Sequence, residues 1–213
     1  MTRYRLAIFD FDGTLADSAD WAFGVMNEVA RRYDFREIGA EEREALRGRP
    51  NREVIRALGV PVWRLPLIAA HMRGLVRESA ERIPLFPWTS GLLAELADAG
   101  VTLAIASSND PDTILRILGP EASARVSAVA GGASLFGKAA KFRRLVRQFG
   151  VGSAETVCVG DEHRDVEAAQ QAGLASIAIT WGFATVPALV AAGPTALAAD
   201  PGELVRLILS DRS

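Results

Sequence analysis

The sequence predicts an α/β protein: a parallel sheet with helices on both faces, interrupted behind its first strand by an all-helical segment. Three observations carry this. Leu6-Ala7-Ile8-Phe9 is apolar without alternation, as suits a strand buried on both faces inside a parallel sheet. From Pro87 onward, short apolar runs alternate with amphipathic stretches of 10–15 residues, the pattern of right-handed strand–helix–strand crossovers. Between Asp17 and Pro84 the period is helical and no convincing strand occurs.

The first strand runs into Asp10-Phe11-Asp12-Gly13-Thr14, where glycine and threonine end it. In the helical segment, Trp21, Val25 and Val29 recur at helical spacing, as do Ile68, Met72, Leu75 and Val76. Breaks fall at Gly39, at Gly48-Arg49-Pro50-Asn51 and at Gly59-Val60-Pro61, and Asn51 is placed to cap a short helix carrying Val54, Ile55 and Leu58. Beyond Pro87, Leu92, Leu93 and Leu96 mark a helix stopped by Gly100. Val101 to Ala106 reads as a strand, followed by Ser107-Ser108-Asn109. Asp110-Pro111 opens a helix that closes at Gly119. Val126 to Ala130 is a third, short strand. Phe142, Leu145, Val146 and Phe149 then line one helix face, with Lys141, Arg143, Arg144 and Arg147 on a solvated side. Thr156 to Val159 is a strand ending at Gly160-Asp161, and a helix through Val166, Ala169 and Ala172 stops at Gly173. Ser176 to Thr180 is the last expected strand, with Trp181-Gly182-Phe183 in a turn. Asp200-Pro201-Gly202-Glu203 caps a final helix.

Composition is that of a globular chain: of 213 residues, 49% are apolar and 23% charged, enough to bury a substantial core. The net charge of −2, with acids and bases interspersed, gives no basic footprint for nucleic acid. Cys158 is the single cysteine, so no internal disulfide is available and a buried, inert thiol in a reducing compartment is expected. The start, Met1-Thr2-Arg3-Tyr4-Arg5, shows no signal peptide, and no run approaches the ~20 apolar residues of a membrane span. A soluble, cytoplasmic protein is expected.

Ligands of open parallel sheets bind beyond the carboxyl ends of the strands. Those ends carry Asp10 and Asp12, Ser107, and Asp161, joined by Lys138 and by Asp165 four residues past Asp161. Side chains two apart on an extended strand point the same way, so Asp10 and Asp12 face one spot, where they repel unless a cation or a shared proton intervenes. Three carboxylates around a small site suit a hard divalent ion such as Mg²⁺. Lysine, serine and helix N-termini suit an anion such as phosphate.

This set resembles the haloacid dehalogenase superfamily of phosphohydrolases. Asp10-Phe11-Asp12-Gly13-Thr14 is similar to its first motif, Ser107-Ser108-Asn109 to its second, Lys138 to its third, and Gly160-Asp161-Glu162-His163-Arg164-Asp165 to its fourth, in family order. The helical insert and the turn Leu85-Phe86-Pro87 resemble the phosphoglycolate phosphatase-like branch. The resemblance implies a Rossmann-like core over 1–16 and 86–213, with a helical cap over 17–85. It implies an Mg²⁺-dependent phosphatase, monomer or homodimer, acting on a small phosphorylated metabolite. Asp10 would be the nucleophile that forms an aspartyl-phosphate, and Asp12 the general acid and base. Ser107 and Lys138 would hold phosphoryl oxygens, with Gly13, Thr14, Ser108, Asn109 and the cap residue Arg49 as further substrate contacts. The metal group would be Asp10, Asp161 and the carbonyl of Asp12, with Asp165 steadying the metal shell or Lys138. An acid at position 12 argues for phosphate-ester chemistry over dehalogenation. A sugar-phosphate mutase and a catalytically idle binding module are the alternatives.

Several positions depart from the branch. Lys138 is followed by Ala139-Ala140, where Pro-x-Pro is common, and Lys141 is a second candidate for the phosphate-holding lysine. Trp88 stands where glycine is common, and Glu162-His163-Arg164 is unusually charged, which puts phosphoglycolate itself in doubt as substrate. Arg47-Gly48-Arg49-Pro50-Asn51-Arg52 is either an exposed surface or a reader of a substrate carboxylate or second phosphate. His163 is expected in a solvent-facing loop and His71 on a helix face. Trp181-Gly182-Phe183 is either a plain turn or part of the pocket lining.

Overall fold

A computed structural model describes residues 4–39, 41–46, 49, 51–132 and 137–210, without the side chains of 43, 44, 51 and 52. Among the described residues, six strands form one fully parallel sheet: β1 (Leu6–Phe9), β2 (Thr102–Ala106), β3 (Ala128–Ala130), β4 (Thr156–Gly160), β5 (Ala175–Ile179) and β6 (Ala196–Ala198). The order is β3-β2-β1-β4-β5-β6, so the direction of winding reverses between β1 and β4. Such a reversal opens a crevice beyond the strands' carboxyl ends, between neighbours whose connections leave on opposite faces.

The uninterrupted apolar strands follow from burial on both faces. Ala7, Phe9, Leu103, Ile105, Val157 and Val159 pack on one side against α5 (Thr89–Asp98), α6 (Pro111–Ser123) and α10 (Pro201–Leu209). Leu6, Ile8, Ala104, Ala106 and Cys158 point to the other side, against α7 (Gly137–Phe149) and α8 (His163–Ala172). The period of two along each strand thus divides the interior into two cores and gives the three-layer architecture the sequence predicts.

Behind β1 the chain is helical: α1 (Ala19–Tyr33), α2 (Glu42–Leu46), α3 (Asn51–Ala57) and α4 (Leu65–Glu78). Helices α1 and α4 pack together, with the Tyr33 and His71 rings 5.5 Å apart. The two passages between this segment and the sheet are stitched side by side: Asp17 N–H donates to Pro84 O, and Phe86 N–H donates to Leu15 O.

Several expectations need correction. Helix α6 does break at Gly119 (φ 70°, ψ 175°), but it resumes at Pro120 for one more turn. Helix α3 begins at Asn51 itself, within the usual uncertainty of helix ends. Helix α9 (Val186–Ala192) and strand β6 have no counterpart among the expected elements. Three alanine-rich residues pairing along only one edge leave little periodic signal. The Asp200 cap forms, Asp200 Oδ1 accepting from Glu203 N–H, while Glu203 reaches back to Ala199 N–H, one residue before the cap. Lys141 is not on the solvated side of α7. Arg143, Arg144 and Arg147 are exposed, but Lys141 is half-buried and its ammonium donates to Ser107 O and Gly132 O.

Candidate active site

The strand ends converge at the reversal point. Asp10, directly after β1, is 4% exposed, and its N–H donates to Val159 O on β4, locking the two strands at the crevice. Asp161 follows β4 and is fully buried, and Asp165 lies in the first turn of α8. Carboxylate oxygens of Asp10, Asp161 and Asp165 all lie within 4.8 Å of one another. Lys138, near the start of α7, bridges two of them: its Nζ is 2.7 Å from Asp10 Oδ1 and 2.6 Å from Asp165 Oδ1.

The glycines explain how so much fits. A Cβ at Gly13, whose φ is 75°, would lie 2.3 Å from Asp161 Oδ2. One at Gly182 would lie 2.2 Å from Asp161 Cβ, and one at Gly160 2.5 Å from Asp165 Cγ. Asp161 is therefore clasped by backbone on two sides. Its Oδ1 accepts from the Thr14 hydroxyl at 2.7 Å and its Oδ2 from Phe183 N–H at 2.8 Å. Asp165 is oriented by a reciprocal cap, accepting from Glu162 N–H at 3.0 Å.

Burial raises the carboxyl pKa values of Asp10 and Asp161, since the charged form loses hydration; for Asp10 the ammonium of Lys138 opposes this. Asp165 also loses hydration, but Lys138 and Arg164 outweigh that and hold it below the ordinary value. Asp12 is half-buried, and burial together with the nearby Asp10 charge pushes its carboxyl up to about 6. Its Oδ2 accepts from Asn109 Nδ2 at 2.7 Å. Asp12 is therefore poised to exchange a proton near neutral pH, with Asn109 fixing its direction.

Two cavities meet at Asp12. One, of about 310 Å³, is lined by Asp10, Asp12, Ser107, Ser108, Lys138 and Lys141. The other, of about 300 Å³, lies under α1 and α4, where Trp21, Met72 and Arg73 face Asp12, Ser108 and Asn109. Ser107 is buried, and its hydroxyl accepts from Asn109 N–H at 3.1 Å.

The structure brings Asp10, Asp12, Ser107, Ser108, Asn109, Lys138, Asp161 and Asp165 to this crevice and sets three residues elsewhere. Thr14 is 1% exposed and stands behind Asp161, supporting that carboxylate instead of facing a substrate. Gly13 is likewise buried against Asp161. Arg49 lines a third cavity, of about 180 Å³, with Met26, Ile38, Val54 and His163; it adjoins the one under α1 and α4 through Ala22, Glu162 and Phe183, and Arg49 Nε donates to Ala45 O. Arg47, Gly48 and Pro50, and the side chains of Asn51 and Arg52, lie outside the described residues. The Asp12 carboxylate is outside the close trio of Asp10, Asp161 and Asp165. Trp181-Gly182-Phe183 is more than a turn: besides the Phe183 and Gly182 contacts, Trp181 Nε1–H donates to Thr14 O at 3.2 Å. Arg73 has no counterpart among the expected site residues; its only sequence signal is its place beside Met72 on α4.

An oxygen-only trio fits a hard cation. Three carboxylates crowd the ammonium of Lys138, with Arg164 lending its charge to Asp165, and Asp10 Oδ2 is buried with no hydrogen-bond donor among the described residues. A divalent ion such as Mg²⁺ answers both conditions.

Known proteins share this architecture. The family model described as haloacid dehalogenase-like hydrolase matches residues 7–179. A phosphoglycolate phosphatase of Synechococcus elongatus is 33% identical over 94% of this chain and 95% of its own length. The tyrosine-protein kinase PtkA of Mycobacterium tuberculosis is 31% identical over 84% of this chain and 63% of its own. Among solved structures, a haloacid dehalogenase-like family hydrolase from Streptococcus pneumoniae superposes with a TM-score of 0.81 at 22% identity, covering 96% of this chain and 98% of that one.

Proposed function

Because the chain belongs to the haloacid dehalogenase-like hydrolase family, we propose that it is a phosphoric monoester hydrolase, an Mg²⁺-dependent phosphatase of small phosphorylated metabolites working in the cytoplasm. The observation that carries this is the buried Asp10–Lys138–Asp165 bridge beside Asp161, with the Asp12 carboxyl at the edge of the same crevice.

Asp10 attacks phosphorus; the bond from phosphorus to the ester oxygen breaks, and its electron pair leaves with that oxygen. Asp12 in its acid form delivers a proton there, releasing the alcohol and leaving an aspartyl-phosphate. Asp12, now a carboxylate, takes a proton from water as the water attacks phosphorus, and the Asp10 carboxylate is the second leaving group. Ser107 and Lys138 hold phosphoryl oxygens, and Lys138 also fixes the direction of Asp10. Asp10, Asp161 and the Asp12 carbonyl would hold the metal, with Asp165 orienting Lys138. When bound, the metal offsets negative charge building on the phosphoryl group. Residues 17–85 act as a cap on a core of 1–16 and 86–213, excluding bulk water during attack.

The direct test is a panel of phosphorylated metabolites assayed for phosphate release with and without Mg²⁺. Metal-stimulated release supports the reading, and isomerised product without released phosphate would favour the mutase alternative.

A further inference from the structure

Arg73 stands out in the cavity under α1 and α4 because its guanidinium is tied to neither of the carboxylates that line it, Asp12 and Glu162. It is half-buried, yet no carboxylate or carbonyl among the described residues pairs with its guanidinium. The other charged groups lining that cavity are engaged: Asp12 accepts from Asn109, and Glu162 pairs with Arg164 at 2.8 Å. An arginine held at the wall of a cavity without a partner is poised for one brought by a ligand.

The cavity's position says which part of the substrate this is. Asp12 and Ser108 line both cavities, whereas Asp10, Ser107 and Lys138 line only the one opposite Arg73. The phosphoryl group belongs on the side of Asp10, and the ester oxygen must lie within reach of Asp12 to receive its proton. The alcohol portion therefore extends past Asp12 toward α1 and α4. There Trp21, Ala22, Met72, Val76 and Phe183 form an apolar wall that Arg73 interrupts, while the cavity's other arginine, Arg164, is already paired with Glu162.

We propose that Arg73 and the apolar wall beside it form the leaving-group subsite, specific for phosphomonoesters whose alcohol has an apolar body ending in an anion, carboxylate or second phosphate. Arg73 acts as a specificity residue and takes no part in proton transfer. The inference rests on the phosphatase reading above, and the test separates the two.

The experiment compares 4-carboxyphenyl phosphate with its neutral isostere 4-carbamoylphenyl phosphate, with Mg²⁺ present. The wild type is expected to prefer the carboxylate about tenfold or more in kcat/KM, the range of one charge-assisted contact in a partly dry site. Arg73→Gln is expected to abolish the preference through KM while kcat on the neutral ester stays unchanged, and Arg73→Lys to restore part of it. A wild type without preference, or an Arg73→Gln variant that keeps it or loses both substrates alike, overturns the proposal. Calorimetric binding of 4-hydroxybenzoate against 4-hydroxybenzamide reads the subsite without turnover. An Arg73-dependent preference there with no hydrolysis of either ester would uphold the subsite and sink the phosphatase reading, while equal binding would sink the subsite. Comparing 4-phosphonophenyl phosphate, whose carbon–phosphorus bond is not hydrolysed, with 4-carboxyphenyl phosphate in the turnover series distinguishes a phosphate-like anion from a carboxylate as the preferred anion.

Discussion

Lys138 Nζ lies 2.7 Å from Asp10 Oδ1 and 2.6 Å from Asp165 Oδ1, so a single buried ammonium joins the first strand's carboxylate to the first turn of α8. Burial disfavours the charged amine, yet the two carboxylates outweigh that and raise its pKa. Removing the cation would strand both acids. Lys138→Met is therefore expected to cost about 3 kcal/mol or more of stability in urea unfolding, as when one partner of a buried ion pair is lost, and to abolish phosphate release. A variant as stable as the wild type would contradict the bridge.

Gly13 and Gly182 close on Asp161 from two sides, and neither has room for a methyl group. Gly13→Ala adds a strained positive φ to the clash, so a loss of roughly 2 kcal/mol or more is expected, with a raised Mg²⁺ requirement as Asp161 shifts. Gly182→Ala should share the metal effect. Measuring the Mg²⁺ activation constant of both variants checks this, and unchanged constants would show that Asp161 does not depend on the clasp.

Lys141 is the site's second amine. Burial, with the charge of Lys138 adding, lowers its pKa from the ordinary 10.5 to about 8. Between those values the unfolded chain holds more protons than the folded one, so this residue makes stability rise with pH across that window. The stability of the wild type relative to Lys141→Met should therefore increase as pH is raised from about 8 toward 10.5. Denaturant unfolding of both proteins across that range measures it, and a flat difference would place the amine in solvent.

Cys158 lies on β4, 2% exposed, and burial drives its thiol pKa far upward. It should resist a water-soluble disulfide reagent in the native protein and titrate as one thiol in denaturant. Rapid reaction of the native protein would refute this packing.

How legible this was depends on whether a residue's role was local. The strands β1, β2, β4 and β5 announce themselves because a run buried on both faces is almost wholly apolar, Thr102, Thr156 and Ser176 near the amino ends apart, until its carboxyl end, where Asp10, Ser107 and Asp161 follow β1, β2 and β4. Strand β6, three residues on the sheet edge, carries no such run. Side-chain direction was harder to read. The resemblance implies Thr14 as a substrate contact, but in the folded chain its hydroxyl donates to Asp161. Lys141 reads as solvated from its charged neighbours, yet the carbonyls of Ser107 and Gly132, distant in sequence, draw its ammonium inward. Arg73 differs from the other basic residues only in what the fold sets opposite it.

The central claim, that Asp10 is the nucleophile of a phosphatase, is met most directly by phosphate release from 4-nitrophenyl phosphate with Mg²⁺, comparing the wild type with Asp10→Asn. The wild type should turn over, and the variant, folded by circular dichroism, should be inactive. Equal turnover by the two proteins would contradict the account.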